Sequence, residues 1–270
     1  MGRHYIEAEL AKNNVLAPDL RIMSYVLSER SSCRAGQYFM LWLPGQGEIP
    51  LSPSICRSNY LEFVVEDVGP TSSALVSLES GDQSFLRGPF GNPFSLGMEG
   101  PFALIGGGTG AAPLLMAAQE LAESGKSAET LIGAKDSKRL CYEKEFRKLA
   151  SAAFTTEDGS LGLRGRVTDY VRETLRNDKP KVVLTAGPES MMKTVVSISE
   201  ELGIYSEASL VRIIKCADGV CGSCVLDPGG QLVCKEGPVI AGSTLMASDF
   251  GSRTRDKFGR RVELDWHSPT

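Results

Sequence analysis

Cys216, Cys221, Cys224 and Cys234 fall within nineteen residues, "CADGVCGSCVLDPGGQLVC", whereas the other three cysteines stand singly. The spacing is C-x4-C-x2-C, with a fourth thiol after nine further residues. Thiolates in that pattern match plant-type [2Fe–2S] ligation. Two irons and two sulfides need four thiolates on one small surface, with backbone N–H groups turned toward the sulfurs. Gly219 and Gly222 supply the tight turns such a loop requires. A structural zinc site and a disulfide pair are the alternatives. Zinc favours two C-x2-4-C knuckles, and here one such pair is followed by a lone cysteine. Cys33, Cys56 and Cys141 read as buried free thiols.

A second constellation is built from glycine. "IGGGTGAAP" (Ile105 to Pro113) lies between an apolar strand-like run and a helical one. Glycines at such a turn let the backbone approach a phosphate, and the following helix start offers N–H groups and the positive end of its dipole. Gly107, Gly108, Thr109 and Gly110 are the pyrophosphate candidates. The motif is not the G-x-G-x-x-G fingerprint with its downstream acidic residue, and a purely structural tight turn is the alternative. A second glycine turn, Gly187-Pro188-Glu189, follows the run "KVVLTA". Two such turns at strand ends suit the ligand-binding edge of an open α/β sheet.

The elements that must position these groups change character along the chain. Up to about residue 97, "RIMSYVLS", "YFMLWLP" and "LEFVVEDVG" are short, β-branched or aromatic runs bounded by turn residues, which predicts a small β-barrel. From 98 to 207, strands ("FALIGG", "AETLIGAKD", "AAFTTEDG", "KVVLTAGP") alternate with helices ("LLMAAQELAESGK", "CYEKEFRKLAS", "VTDYVRETLRN", "ESMMKTVVSISEELG"). That alternation predicts βαβ units and a parallel sheet. Residues 208–270 are loop-rich and carry the four cysteines. The expected fold is multi-domain β plus α/β: barrel, nucleotide domain and a small C-terminal cluster domain. The net charge of −4 gives no electrostatic reason to expect nucleic acid or an anionic membrane as partner. The N-terminus lacks a signal-peptide pattern, and no apolar run approaches the roughly 20 residues of a membrane span. The odd number of cysteines suits a reducing compartment, so a cytoplasmic protein is expected.

Taken together, "GGGTGAAPLL", "AGPESMMK" and the cysteine segment closing in "VCKEGPV", in that order after a barrel, resemble the electron-transfer subunits of type B dihydroorotate dehydrogenases, within the ferredoxin–NADP reductase superfamily. "TEDGSLGLRGRVTD" is similar to the segment that follows the third nucleotide-domain strand there. The resemblance implies FAD on the barrel, a nicotinamide nucleotide on the second domain and [2Fe–2S] near the C-terminus. Carried over by position, Pro50, Leu51 and Ser52 match the isoalloxazine motif Arg-Pro-x-Ser. Ile49 stands where its arginine belongs, leaving Arg57 and Arg87 as candidate replacements. Gly69, Thr71 and Ser72 match the second flavin segment and would face the pyrophosphate, with plain helix capping as their alternative role. Gly187, Pro188, Glu189 and Met191 would flank the nicotinamide. Asp136 suits a ribose 2′-hydroxyl, and Lys138 with Arg139 suits a 2′-phosphate. The resemblance favours NAD(H).

A nicotinamide delivers two electrons as hydride and an iron–sulfur cluster accepts one, so a flavin must stand between them. No acid–base dyad is needed: no catalytic residue is assigned, and His4 and His267 belong to no motif. The chain carries no second catalytic domain, so another protein must exchange electrons with the cluster. The resemblance implies an FMN-containing dihydroorotate dehydrogenase catalytic subunit in a hetero-oligomer, a heterotetramer by that likeness. A subunit of a related ferredoxin–NADP oxidoreductase, sulfide dehydrogenase or hydrogenase complex is the second reading, and a zinc-bearing, nucleotide-binding adaptor the third.

Overall fold

The computed structural model describes residues 4–256 and 258–264, so His267 lies outside it. Seven strands form one antiparallel sheet: β1 (Ile6–Ala17), β2 (Leu20–Leu27), β3 (Tyr38–Leu43), β4 (Gly47–Leu51), β5 (Pro53–Arg57), β6 (Tyr60–Glu66) and β7 (Gln83–Phe90), in the order β4-β3-β7-β1-β2-β6-β5. The two edge strands, β4 and β5, are consecutive in the chain and separated only by Ser52. A single residue cannot cross the width of a flat seven-stranded sheet. The sheet therefore curls until its edges meet, and the chain itself closes the barrel. Alternate residues fill the interior: Ile6, Ala8 and Leu10, Met23, Tyr25 and Leu27, Phe39 and Leu41, Leu61, Phe63 and Val65. Burying each of the larger side chains contributes roughly 1.5–3 kcal/mol. Tyr38 and Met40, between these positions on β3, face outward into a different core. This explains why "YFMLWL" is apolar at every position rather than alternating.

The second sheet contains β8 (Phe102–Gly107), β9 (Ala128–Ala134), β10 (Ser151–Thr156), β11 (Leu163–Arg164), β12 (Val182–Ala186) and β13 (Tyr205–Ser209), all parallel. Short α1 (Pro70–Val76) belongs to the barrel. Around the parallel sheet lie α2 (Ala111–Glu123), α3 (Glu143–Leu149), α4 (Val167–Asp178) and α5 (Glu189–Glu201). The strands and helices expected between 98 and 207 are present. The long β1 and the strand β13 were not anticipated.

The cysteine segment is knitted into this sheet. After the hairpin β14 (Val225–Leu226) and β15 (Gln231–Leu232) and the short α6 (Val233–Glu236), β16 (Val239–Ala241) pairs antiparallel with β13, with Ser209 opposite Val239. The α7 turn (Gly242–Met246) packs on α5, and a hairpin of β17 (Arg253–Arg255) and β18 (Arg261–Glu263) follows. Leu226, Val233, Cys224 and Cys234 share one core with Met192, Val195 and Val196 of α5 and with Tyr38 and Met40 of the barrel. Among the described residues no helix is long and apolar enough to cross a membrane.

Polar contacts fix the three parts against one another. Tyr142, at φ +63° before α3, sends its hydroxyl to the outer face of the barrel, to Ser54 at 2.7 Å and Glu62 at 3.0 Å. A left-handed non-glycine residue costs on the order of 1–3 kcal/mol and persists only when its surroundings hold it. Arg212 and Glu189, 2% and 7% exposed, form a 2.7 Å ion pair between the cysteine segment and the start of α5. The Gly251 N–H donates to the same carboxylate oxygen at 2.7 Å, and Arg212 Nη1 donates to the Arg253 carbonyl at 2.9 Å. Burial raises the Glu189 pKa against the opposing pull of Arg212. Removing one partner of such a pair strands a buried charge. Arg212→Ala is therefore expected to lose about 3–5 kcal/mol, read from urea unfolding at neutral pH; an unchanged midpoint would contradict this account.

Candidate functional site

The nucleotide candidates gather at the C-terminal ends of β8 and β12. A cleft of about 480 Å³ is lined there by Gly107, Gly108, Thr109, Pro188, Glu189 and Met191, with Leu20 and Glu66 of the barrel among the residues opposite. Gly110 and Gly187 lie just behind this wall. A Cβ on Gly110 would sit 2.2 Å from the Ala186 carbonyl oxygen, so only glycine lets α2 start this close to β12. Gly187 has φ +144°, and a Cβ there would meet the Gly107 carbonyl oxygen at 2.8 Å. The two glycine turns thus interlock, and each needs the other to be bare. Glu189 lines the cleft, but its Oε1 is engaged by Arg212 and Gly251.

The residues weighed for the adenosine ribose have structural partners. Asp136 Oδ1 accepts from the N–H groups of Lys138 at 2.9 Å and Arg139 at 3.1 Å, capping a short 3-10 turn. Arg139 hydrogen-bonds Asp19 of the barrel and lies 3.7 Å from both Glu66 and Asp136.

The flavin candidates meet at the barrel seam. Pro50 and Leu51 end β4 and Ser52 is the crossing residue; all three are half-buried. The Thr71 hydroxyl donates to the Gln46 carbonyl at 2.8 Å, which draws the start of α1 onto the β3–β4 turn. "IPLS" and "VGPTSS", twenty residues apart in the chain, thereby share one surface. Ser72 is occupied: its Oγ accepts from the Val68 and Gly69 N–H groups at 2.9 and 3.0 Å and donates to the Gly69 carbonyl. Its side chain serves as the cap that the sequence offered as the alternative. Ile49 packs against the barrel core. Arg87, one of the two candidate substitutes for the missing arginine, is held by Glu48 through two 2.7 Å bonds. Arg57 lies exposed at the end of β5.

The four cysteines fall into two contacting pairs, Cys216 with Cys221 and Cys224 with Cys234. The Cys234 N–H donates to Cys224 Sγ at 3.3 Å. Burial opposes ionisation of Cys216, but N–H groups of Cys221, Asp218 and Val220 outweigh it and bring its pKa to about 6. Burial, with the neighbouring Cys224, pushes the Cys234 thiol up to about 12. Gly219 and Gly222 have φ +76° and +70°, the left-handed turns expected of them. Among the described residues no three histidine, cysteine or acidic side chains form a single-metal site. A [2Fe–2S] unit divides its ligands between two irons, and two thiol pairs amid inward-pointing N–H groups suit that division. Cys224 and Cys234 are buried and Cys221 is exposed.

Two residues join the barrel to this loop: Arg87, which the sequence had offered for a different role, and Tyr38, which it had not marked. The Tyr38 hydroxyl donates to the Cys234 carbonyl at 2.9 Å, and Arg87 Nη1 donates to the Cys216 carbonyl at 3.0 Å. An arginine inside the strand that ends "RGPF" was the one available signal; nothing marked Tyr38. His4 contacts Glu29 on the surface, as expected for a residue outside every motif.

Comparison with known proteins agrees with this arrangement. Residues 104–197 match the oxidoreductase NAD-binding domain, and residues 212–246 match the iron–sulfur cluster binding domain of dihydroorotate dehydrogenase B. The chain is 36% identical over 242 residues to the probable dihydroorotate dehydrogenase B (NAD(+)) electron transfer subunit of Methanocaldococcus jannaschii, covering 89% of this chain and 92% of that one. The protein of the same description from Pyrococcus furiosus is 36% identical over 255 residues, 93% and 94% of the two chains. Among solved structures, an NADH-dependent reduced ferredoxin–NADP oxidoreductase superposes with a TM-score of 0.80 at 28% identity, over 87% of this chain and 88% of that one. The flavohaem-like FAD/NAD-binding domain of nitric oxide dioxygenase from Vibrio cholerae shares the fold at 20% identity, TM-score 0.67, over 74% and 94% of the chains. With glycine cleft, barrel seam and paired thiols in one frame, and with relatives matched over nearly their whole length, the chain belongs to the family of dihydroorotate dehydrogenase B electron transfer subunits.

Proposed function

We propose that this chain relays electrons between NAD(H), an FAD and a [2Fe–2S] cluster, and exchanges them with an FMN-containing dihydroorotate dehydrogenase catalytic subunit in a cytoplasmic hetero-oligomer. The observation that carries this reading is the convergence of the three candidate sites on the barrel. Its residues Leu20 and Glu66 wall the nucleotide cleft, its seam carries Pro50–Ser52, and its Tyr38 and Arg87 hold the cysteine loop. When bound, the nicotinamide, flavin and iron–sulfur groups supply the redox chemistry, hydride at one end and single electrons at the other.

The chain's own part is placement. Gly107, Gly108 and Thr109, ahead of α2, present backbone to a dinucleotide pyrophosphate, and Pro188, Glu189 and Met191 line the same cleft. At the seam, Ser52 offers a hydroxyl to the flavin ring, while the backbone N–H groups of Thr71 and Ser72 remain the diphosphate candidates, that of Gly69 being taken by Ser72 Oγ. Cys216, Cys221, Cys224 and Cys234 hold the cluster.

The candidate partner face is the surface around the cysteines. Val211 and Val220 are 73% and 84% exposed, Ile213 is partly so, and the exposed Cys221 lies beside Val220. Apolar side chains left in water beside a redox centre suit a docking surface, and the resemblance favours the FMN subunit as its occupant.

NADH is the proposed donor, because Arg139, one of the two cations weighed for a 2′-phosphate, already faces Asp19, Glu66 and Asp136. Stopped-flow reduction of the bound flavin is expected to be faster with NADH than with NADPH; the reverse order would assign the cleft to a 2′-phosphorylated nucleotide. The relay itself is tested by Cys224→Ser, since a hydroxyl is a poor substitute for a thiolate on iron. Anaerobic bleaching of the flavin by NADH is expected to survive in this variant. Electron transfer to the FMN subunit, at saturating partner, is expected to fall to background. Normal coupling in protein shown to lack iron and sulfide would make the cysteine stretch a structural staple.

A further inference from the structure

Arg87 does more than cross a domain boundary. Its guanidinium spends Nε and Nη2 on the two carboxylate oxygens of Glu48, and Nη1 and Nη2 on the carbonyls of Cys216 and Lys215, at 3.0 and 3.4 Å. The side chains of Arg87 and Glu48 are 12% and 17% exposed, so the pair is largely withdrawn from water. On the other side of the loop, Tyr38 donates to the Cys234 carbonyl at a buried site. The grips come from β3, which adjoins seam strand β4, and from β7, the next strand beyond it. Met40 on β3 is paired with Pro50 of β4 on one side and Arg87 of β7 on the other. Pro50 and Arg87 are thus two strand spacings apart, about 10 Å.

We infer that Arg87, braced by Glu48, and Tyr38 are the positioning residues of the cluster, and that the balance of charge in the Arg87–Glu48 pair sets its reduction potential. The inference rests on the reading of Cys216, Cys221, Cys224 and Cys234 as cluster ligands. Holding a ligand residue by its carbonyl fixes its peptide plane. It also fixes the direction of the thiolate and of the N–H groups that serve the sulfurs. One-electron reduction adds one negative charge to the cluster. A cation close by in a poorly hydrated site favours the reduced form, and an anion disfavours it. As a pair, Arg87 and Glu48 nearly cancel, so removing either charge alone unmasks the other. A purely mechanical strut would give both single variants the same kind of defect. An electrostatic one gives them shifts of opposite sign.

The test is carried out on the full chain with iron, sulfide and flavin quantified first. Wild-type protein without a cluster overturns both the ligand reading and this inference. With the cluster present, potentiometric titration followed by electron paramagnetic resonance is expected to show a raised midpoint in Glu48→Gln and a lowered one in Arg87→Met. Unmoved midpoints, or shifts of the same sign, overturn the electrostatic role while leaving the ligand reading intact. If Arg87→Met fails to retain the cluster, Glu48→Gln decides alone, because it keeps the guanidinium: a raised midpoint supports the inference and any other result overturns it. Tyr38→Phe removes only the hydroxyl and is expected to release cluster iron to a chelator severalfold faster than wild type; an unchanged rate removes Tyr38 from the clamp.

Discussion

The architecture depends on a covalent constraint at one residue. Strands β4 and β5 are opposite edges of a seven-stranded sheet, yet only Ser52 separates them in the chain. The right-handed twist of any antiparallel sheet brings its edges toward each other; here a single residue obliges them to meet. Closure leaves a seam without ladder hydrogen bonds between its two strands. The backbone there, and the side chains of Pro50, Leu51 and Ser52, remain available to a flat ligand on the barrel surface. The α1 start is drawn to the same place by Thr71 and Gln46.

Around that seam the other two parts share apolar cores with the barrel, and polar contacts align them on it. Tyr142 meets the outer face of the barrel from one side, Arg139 pairs with Asp19 from the nucleotide domain, and Tyr38 and Arg87 leave the barrel for the cysteine loop. Groups of this kind contribute little net stability once desolvation is counted, but they punish any other docking geometry. For a chain that must keep three redox sites at fixed separations, angular precision matters more than a few kcal/mol. The cysteine segment shows the same logic. It contributes β16 to the nucleotide sheet and Arg212 to a buried pair with Glu189, so the loop carrying Cys216 is anchored on both flanks.

Several side chains singled out for binding prove to have structural duties. Ser72 caps its own helix, Asp136 caps a 3-10 turn, and Glu189 answers a buried arginine. The common reason is that short polar side chains at loop–helix junctions satisfy backbone donors wherever they occur. Glycine turns depend on backbone alone. The glycine assignments therefore translate into geometry more directly than the hydroxyl and carboxylate ones.

Local chemistry was legible in the sequence alone because it depends on short-range spacing. The four cysteines, the glycine turns after β8 and β12, and the alternation of strand and helix from 98 to 207 each declare themselves within a few residues, through ligand bite, φ preference and period. Long-range partnership was not legible. Nothing near position 38 announces that a tyrosine will bond a carbonyl at position 234, or near 87 that an arginine will choose Glu48 over a phosphate. The strand Val239–Ala241 reads as cysteine-domain sequence until β13 offers it an edge. Those outcomes are decided by which surfaces the closed barrel and the parallel sheet bring together, and a hydrogen bond between residues some two hundred positions apart exists only once both are in place.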